Sequence, residues 1–270
     1  MRIIERGSGP ALVLIPGIQG RSEYLLPAVD ALSRWYRVMA FSLADEPSAH
    51  DDFDHGRGFD SYVAQVGRAL DERGLEQAIV CGVSFGGLIA LRFAAECPAR
   101  VSRLVLVSTP GPSWHLRKRH DFYARWPHVF GVLFLIESPL RMRREVGSAL
   151  PRWRDRVAFA ASQIWTLACA PLSLVRMARR ARMIGSTGAL DSCARVVAPT
   201  LVVTGEPHLD YVVPTTTSAD YCSLIRDARG AVLERTGHVG SITRPMEFAA
   251  VVRQFIDDAD RRRPHRTEVA

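Results

Sequence analysis

Residues 78–90 read Ala-Ile-Val-Cys-Gly-Val-Ser-Phe-Gly-Gly-Leu-Ile-Ala. A short apolar, β-branched run ends in Gly82-Val83-Ser84-Phe85-Gly86, and a helix-forming run follows at once. A chain that passes from strand to helix within so few residues must turn sharply, with strained backbone at Ser84. Side chains two positions away would collide in such a turn, which calls for glycine at 82 and 86. The turn leaves the serine hydroxyl at its tip. It also aims the free N–H groups of a helix starting at Phe85 at the site, where they favour negative charge developing on a reacting oxygen. A serine so placed still needs a base and an orienting acid from elsewhere in the chain.

The strand–helix pattern extends well beyond this turn. Arg2–Glu5 reads as a short strand and Ala11–Ile15 as a continuous apolar strand of buried parallel type. Pro16-Gly17-Ile18-Gln19-Gly20 follows it, a loop able to aim backbone N–H groups into a site. The N–H groups of Ile18 and Phe85 are assigned as the oxyanion donors, with Gln19 as a substrate contact. Ser22–Arg34 fits a helix, Arg37–Leu43 a strand, Phe59–Arg73 an amphipathic helix and Val101–Ser108 a further strand. The intervening segment 44–57 carries Asp45, Glu46, Asp51, Asp52 and Asp54. Its spacing matches no calcium loop, and it reads as a solvated loop; no metal is expected. Short loops between alternating strands and helices imply a mostly parallel sheet flanked by helices.

From Thr109-Pro110-Gly111-Pro112 the pattern changes. Residues 113–190 show no strand alternation, and they hold the charge excess: the formal balance is −2 for residues 1–112, +10 for 113–190 and −1 for 191–270, in a chain of net +7. Phe130–Ile136 and Val157–Val175 are strongly apolar. The second approaches membrane-spanning length, but Gln163, Pro171 and its polar flanks argue against insertion. The segment is expected to form a helical cap with its apolar faces over the site. Trp114, Phe130, Phe134 and Trp165 are its candidate substrate contacts, while Trp126 and Trp153 belong to the pocket or to the cap core. The arginine clusters 117–119, 141–144 and 179–182 read as solvated helix faces, or as a docking surface for an anionic carrier, an acyl-CoA or an acidic lipid head group. No nucleic-acid recognition motif accompanies them, and nucleic acid is not an expected partner. His115, His120 and His128 lack zinc-like spacing.

The sheet resumes at Pro199–Gly205, followed by the loop Glu206–Pro214, a helix over Thr215–Ile225, a last strand at Ala231–Glu234 and the loop Arg235–Gly240. A C-terminal helix is expected over Pro245–Asp258, and a disordered charged tail over 259–270. The expected division is thus a core of 1–112 and 191–258 with an inserted cap at 113–190. The five cysteines are odd in number and show no CxxC spacing. With no apolar run behind Met1, they read as reduced thiols in a cytoplasmic protein.

Three loops now carry Ser84, Asp210 and His238, in that chain order, at the C-terminal ends of three strands. With LIPGIQG, CGVSFGG, LVVTGEPHLDYVVP and RTGHVG, the chain resembles the α/β-hydrolase superfamily over residues 10–112 and 195–258. The resemblance implies an α/β-hydrolase fold, Ser84 as nucleophile, His238 as base and then acid, Asp210 as the carboxylate orienting it, and no cofactor. Val239 is a further substrate contact. Two departures stand out. Pro16-Gly17 replaces the usual His-Gly of the oxyanion loop. The acid stands five residues after Gly205 rather than three, a position held here by His208. Asp210 keeps the usual four-residue step to Pro214, as a two-residue insertion would leave it, and Glu206 is the alternative acid. The implied activity is hydrolysis of a small ester with an apolar acyl group. Acyl transfer, C–C bond hydrolysis, lactone opening or perhydrolysis at the same residues is the alternative, and a non-catalytic ligand-binding homologue a third. The chain is expected to act as a monomer or homodimer.

Overall fold

Runs that are apolar almost without a break, rather than alternating in polarity, build the centre of the molecule. A computed structural model of the chain describes residues 1–116 and 118–261, without the side chains of Phe134 and Leu135. In chain order the elements are β1 (Ile3–Arg6), β2 (Ala11–Ile15), α1 (Leu26–Leu32), β3 (Arg37–Phe41), α2 (Phe59–Asp71), β4 (Ala78–Val83), α3 (Phe85–Glu96) and β5 (Val101–Val107). Then come α4 (Lys118–Arg125), α5 (Pro127–Ala149), α6 (Trp153–Cys169), α7 (Leu174–Met183) and α8 (Ala189–Cys193). The chain closes with β6 (Thr200–Thr204), α9 (Thr215–Leu224), β7 (Ala228–Val232), α10 (Gly240–Thr243) and α11 (Pro245–Arg261).

The strands form one seven-stranded sheet in the order β1-β3-β2-β4-β5-β6-β7. Only β1 runs antiparallel to its neighbour. Successive strand residues face opposite sides. Val13, Ile15, Val80 and Leu106 pack with α2 and α3 on one face, while Leu12, Leu14, Ile79 and Val105 pack with α1 and α11 on the other. Both faces being covered, the inner strands are predominantly apolar. The central strand is β4, buried at every position. The chain leaves β2 for β3 on one side and places β4 on the other, so the sheet reverses its winding between β2 and β4. A crevice opens at such a point beyond the strands' C-terminal ends.

Several boundaries differ from expectation for identifiable reasons. The helix expected over 22–34 is split into a 3-10 turn (Ser22–Leu25) and α1, because Pro27 has no N–H to continue the first into the second. The last strand lies at Ala228–Val232, three residues earlier than expected. It is an edge strand paired through its backbone to β6, so apolar content does not mark it. Residues 259–261 continue α11 instead of starting a tail, and 262–270 lie outside the described residues.

Between β5 and β6 the described chain is helical, as expected for the insertion, but its packing is not. Residues on α6 are exposed along its whole length: Trp153 is 65% and Trp165 71% accessible, and no α6 residue is buried. The apolar residues of α6, expected to face the site, are thus largely open to solvent. No single described helix is long and apolar enough to cross a membrane; α6 and the chain through Ser186 meet the length and composition only as a pair bent by 99°.

A buried ion set joins the insertion to the sheet domain, beside apolar contacts of Met183 and Ile184 with the core. Arg180 of α7, expected on a solvated face, is fully buried. Its Nε donates to Asp45 Oδ1 (3.1 Å), one terminal nitrogen to Glu46 Oε1 (2.6 Å) and the other to the carbonyl of Ile18 (2.9 Å). Arg176 lies 3.1 Å from the other oxygen of Glu46. Asp45 and Glu46 are thus buried ion partners and not part of a solvated loop. Other arginines of the basic segment are also committed internally: Arg119 and Arg141 both pair with Glu137. Removing one member of a buried ion set strands the others, at about 3–5 kcal/mol. Arg180→Met is therefore expected to lower unfolding stability by about that amount, read as a fall in the urea midpoint with an unchanged slope.

Candidate active site

The turn after β4 has the strain its sequence demands. Ser84 adopts φ +53° and ψ −117° immediately before α3. A Cβ on Gly82 would lie 2.2 Å from the carbonyl oxygen of Gly86, and one on Gly86 2.4 Å from that of Ile15. No side chain fits at either position. The Ser84 N–H donates to Val107 O at 2.8 Å, extending the β4–β5 ladder by one residue and anchoring the strained unit. Phe85 starts α3, and its ring is fully buried edge-on against Phe59 and Tyr62. At the first position of the helix, its N–H has no intrahelical acceptor.

The loop after β2 lies alongside. A Cβ built on Gly17 would come 3.4 Å from Ser84 Cβ and 3.0 Å from Gln19 Oε1, so the Gly17 backbone borders the serine and the Gln19 side chain lies against Gly17. The loop is held by Gly20 N–H to Gly17 O (2.9 Å), by Leu43 N–H to Gly20 O (2.7 Å) and by the Arg180 bond to Ile18 O. With its carbonyl fixed on Arg180, Ile18 has little freedom to turn.

The loop after β7 brings in His238. Its Nε2 lies 3.2 Å from Ser84 Oγ and its Nδ1 3.3 Å from Asp210 Oδ2. Three distant parts of the chain meet here because two glycine backbones touch. A Cβ on Gly205 would stand 2.5 Å from Gly237 Cα, and one on Gly237 2.5 Å from Leu209 O. That contact presses the loop bearing Asp210 onto the loop bearing His238. Asp210 is buried, and its Oδ1 accepts the N–H groups of Val212 and Val213, both at 2.9 Å. Burial alone would raise its pKa. The nearby imidazole and these donors outweigh it and hold the carboxyl below its usual range. Burial likewise opposes charge on His238, but the Asp210 carboxylate beside Nδ1 lifts the imidazole pKa above its ordinary value. An ionised carboxylate can only accept, so Nδ1 carries the proton and Nε2 presents its lone pair to the serine O–H.

Glu206, the alternative acid, does not reach the imidazole. It accepts the Arg235 N–H at 2.6 Å and lies 3.5 Å from His208. His208, at the position the acid usually takes, is exposed. The motif reading missed Glu145, on α5. This carboxylate is buried and accepts from the backbone N–H of His238 (3.0 Å) and of Val239 (2.7 Å). The one available signal was its rarity, as one of four acidic residues in the basic segment 113–190.

The expected pocket residues fare unevenly. Trp114 is buried just after β5, and Val239 is half-buried beside His238. Phe130 packs on Phe122 and Tyr123, inside the insertion. Trp165 is exposed on α6. The side chain of Phe134 lies outside the described residues. Among the described residues, no group of three or more His, Cys, Asp and Glu is placed to hold a metal ion.

A row of hydroxyl, imidazole and carboxylate beside a strained serine turn can move a proton off the hydroxyl and direct it at a carbonyl carbon. Comparison with known proteins agrees with the architecture. The profile of the alpha/beta hydrolase family matches residues 12–251. The putative carbamate hydrolase RutD of Escherichia coli is 24% identical over 251 residues, 90% of each chain. Among solved structures, an enol-lactonase from Burkholderia xenovorans superposes with a TM-score of 0.71 at 20% identity, over 95% of this chain and 96% of its own. A putative non-heme bromoperoxidase, BpoC, from Mycobacterium tuberculosis does so with a TM-score of 0.71 at 21% identity, over 95% of each chain. The chain belongs to the alpha/beta hydrolase family.

Proposed function

We propose that the protein is a serine hydrolase that cleaves carboxylic esters with an apolar acyl group through a covalent acyl-enzyme on Ser84. The observation that carries this reading is the row Ser84 Oγ–His238 Nε2–His238 Nδ1–Asp210 Oδ2, with separations of 3.2 and 3.3 Å, at the tip of a strained turn. His238 takes the serine proton as Oγ attacks the acyl carbon. The oxyanion accepts hydrogen bonds from the N–H groups of Ile18 and Phe85, each donor contributing about 3 kcal/mol. His238 then passes the proton to the leaving alkoxide. A water molecule, deprotonated by the same nitrogen, attacks the acyl-enzyme and releases the acid and free Ser84. Asp210 keeps the imidazole in the tautomer this sequence needs and balances its charge when protonated.

The names of two similar proteins motivate a second reading at the same residues. One is named for a carbamate and another for an enol-lactone, both acyl derivatives open to attack by a serine. A panel of p-nitrophenyl esters graded by acyl length, with an aryl carbamate and an enol-lactone beside them, separates the readings. The ester reading expects the highest kcat/KM on an ester; a clear preference for the carbamate or the lactone would overturn it and leave the acyl-enzyme standing.

Ser84→Ala is expected to lower kcat by at least about 10⁴-fold and to abolish labelling by a fluorophosphonate, with the far-UV circular dichroism unchanged. Retained turnover in that variant would sink the covalent mechanism. The base must be neutral to accept the serine proton, and its pKa is raised. So kcat/KM is expected to fall as pH drops through a single ionisation lying above the ordinary histidine value of about 6.5. An acidic limb at or below that value, measured in steady state, would mean that Asp210 does not hold charge next to His238.

A further inference from the structure

Glu145 is 1% exposed and lies on α5, in the insertion rather than in the sheet domain. Both of its oxygens are used, one by the N–H of His238 and the other by that of Val239. A protonated carboxyl cannot accept two such bonds as well, because one oxygen would present a hydrogen to an N–H donor. The contact therefore selects the carboxylate. Burial pushes the Glu145 pKa up, and the backbone N–H groups of this loop oppose that shift. The last turn of α5 grips the same loop a second time. The Arg235 guanidinium donates twice to the carbonyl of Ser148, at 2.9 and 3.0 Å, and that carbonyl is among the unpaired ones at the end of α5. The loop that carries the imidazole is thus held from the insertion on both sides of His238.

We propose that Glu145 is a positioning residue for the Ser84–His238–Asp210 row: its carboxylate, bonded to the backbone N–H groups of His238 and Val239, fixes the His238 loop and places a second negative charge near the imidazole. This rests on the serine-hydrolase reading. The charged and titratable groups around His238 leave Glu145 and Asp210 as the two that act on the ring. Arg235 is turned to Ser148 and its N–H to Glu206; Arg144 donates to the Tyr211 hydroxyl at 2.9 Å; Arg244 bonds Glu234 O and Glu247. Both carboxylates raise the His238 pKa, Asp210 more strongly. The consequence is a coupling: the insertion must be docked for the base to sit within reach of the serine.

The test uses the full chain with E145Q and E145M, both close to Glu in length. Gln keeps one acceptor and loses the charge; Met loses both. Circular dichroism and the urea midpoint identify which variants are folded, and wild-type turnover of an ester establishes the underlying reading separately. Two quantities are then read. The first is the kcat and KM of the ester reaction, and the second is the His238 imidazole pKa from NMR titration, which needs no turnover. The expected result is a kcat lowered about 10- to 100-fold with KM within about twofold, Met worse than Gln, and a His238 pKa displaced downwards in both. The sign follows from removing a negative charge that favours the imidazolium. An unchanged kcat in a folded variant would overturn the proposal. So would a lower kcat with an unmoved imidazole pKa, because a residue serving only to hold the insertion in place would give that pattern. If wild type turned over no ester while the NMR pKa still fell in E145Q, the ester reading would fail and the electrostatic link would stand.

Discussion

Ser84 sits at φ +53° because a buried strand and a buried helix are joined there by one residue, and the surroundings leave no other path. Its N–H is tied to β5, and the two flanking glycines let the carbonyl of Gly86 pass over Gly82 and the end of β2 press against Gly86. A conformation of this kind costs on the order of 1–3 kcal/mol and persists only where packing over-determines it. Here the packing is the two-sided core of the sheet, with β4 buried at all six positions. The same close approach brings the Gly17 backbone against the serine, so the loop proposed to bind the oxyanion is placed by the turn itself.

The other two members of the row depend on a second backbone contact, between Gly205 after β6 and Gly237 after β7. Because β6 and β7 are parallel neighbours, both loops leave the sheet at the same edge. With glycine at both positions they can touch, and their side chains Asp210 and His238 then meet across the gap. Electrostatics completes the arrangement. A carboxylate as buried as Asp210 stays ionised only with donors to replace water, and Val212, Val213 and the imidazole supply them.

Much of this was legible in the residues. The inner strands β2, β4, β5 and β6 are continuous apolar runs, and Gly-x-Ser-x-Gly marks the turn. The four-residue step from Asp210 to Pro214 picked out, despite the displacement, the carboxylate that meets His238. What stayed hidden is what composition does not record. β7 pairs through its backbone at an edge, so Ala228-Arg229-Gly230 carry no strand signature. Arg180 stands in a run of arginines that are chemically alike; only its partners, more than 130 residues away, separate a buried ion from a solvated one. Glu145 was obscured in the same way by Arg143 and Arg144 beside it. The exposure of Trp165 was equally hidden, because an apolar helix in sequence says nothing of what covers it.

The insertion is thus held to the sheet domain by an uncommon balance. α6 contributes no buried residue, whereas α5 and α7 each push one buried ion into a loop of the row: Glu145 to the loop of His238, Arg180 to the loop of Ile18. Buried ions add little net stability compared with apolar side chains of similar volume. They are directional, however, and an error of one ångström forfeits their hydrogen bonds. Apolar contact would let the insertion slide at small cost; an ion at each loop permits one seating. The loops that would carry the base and one oxyanion donor are consequently in register with Ser84 only when that seating is reached, which makes the geometry of the row a property of both parts of the chain.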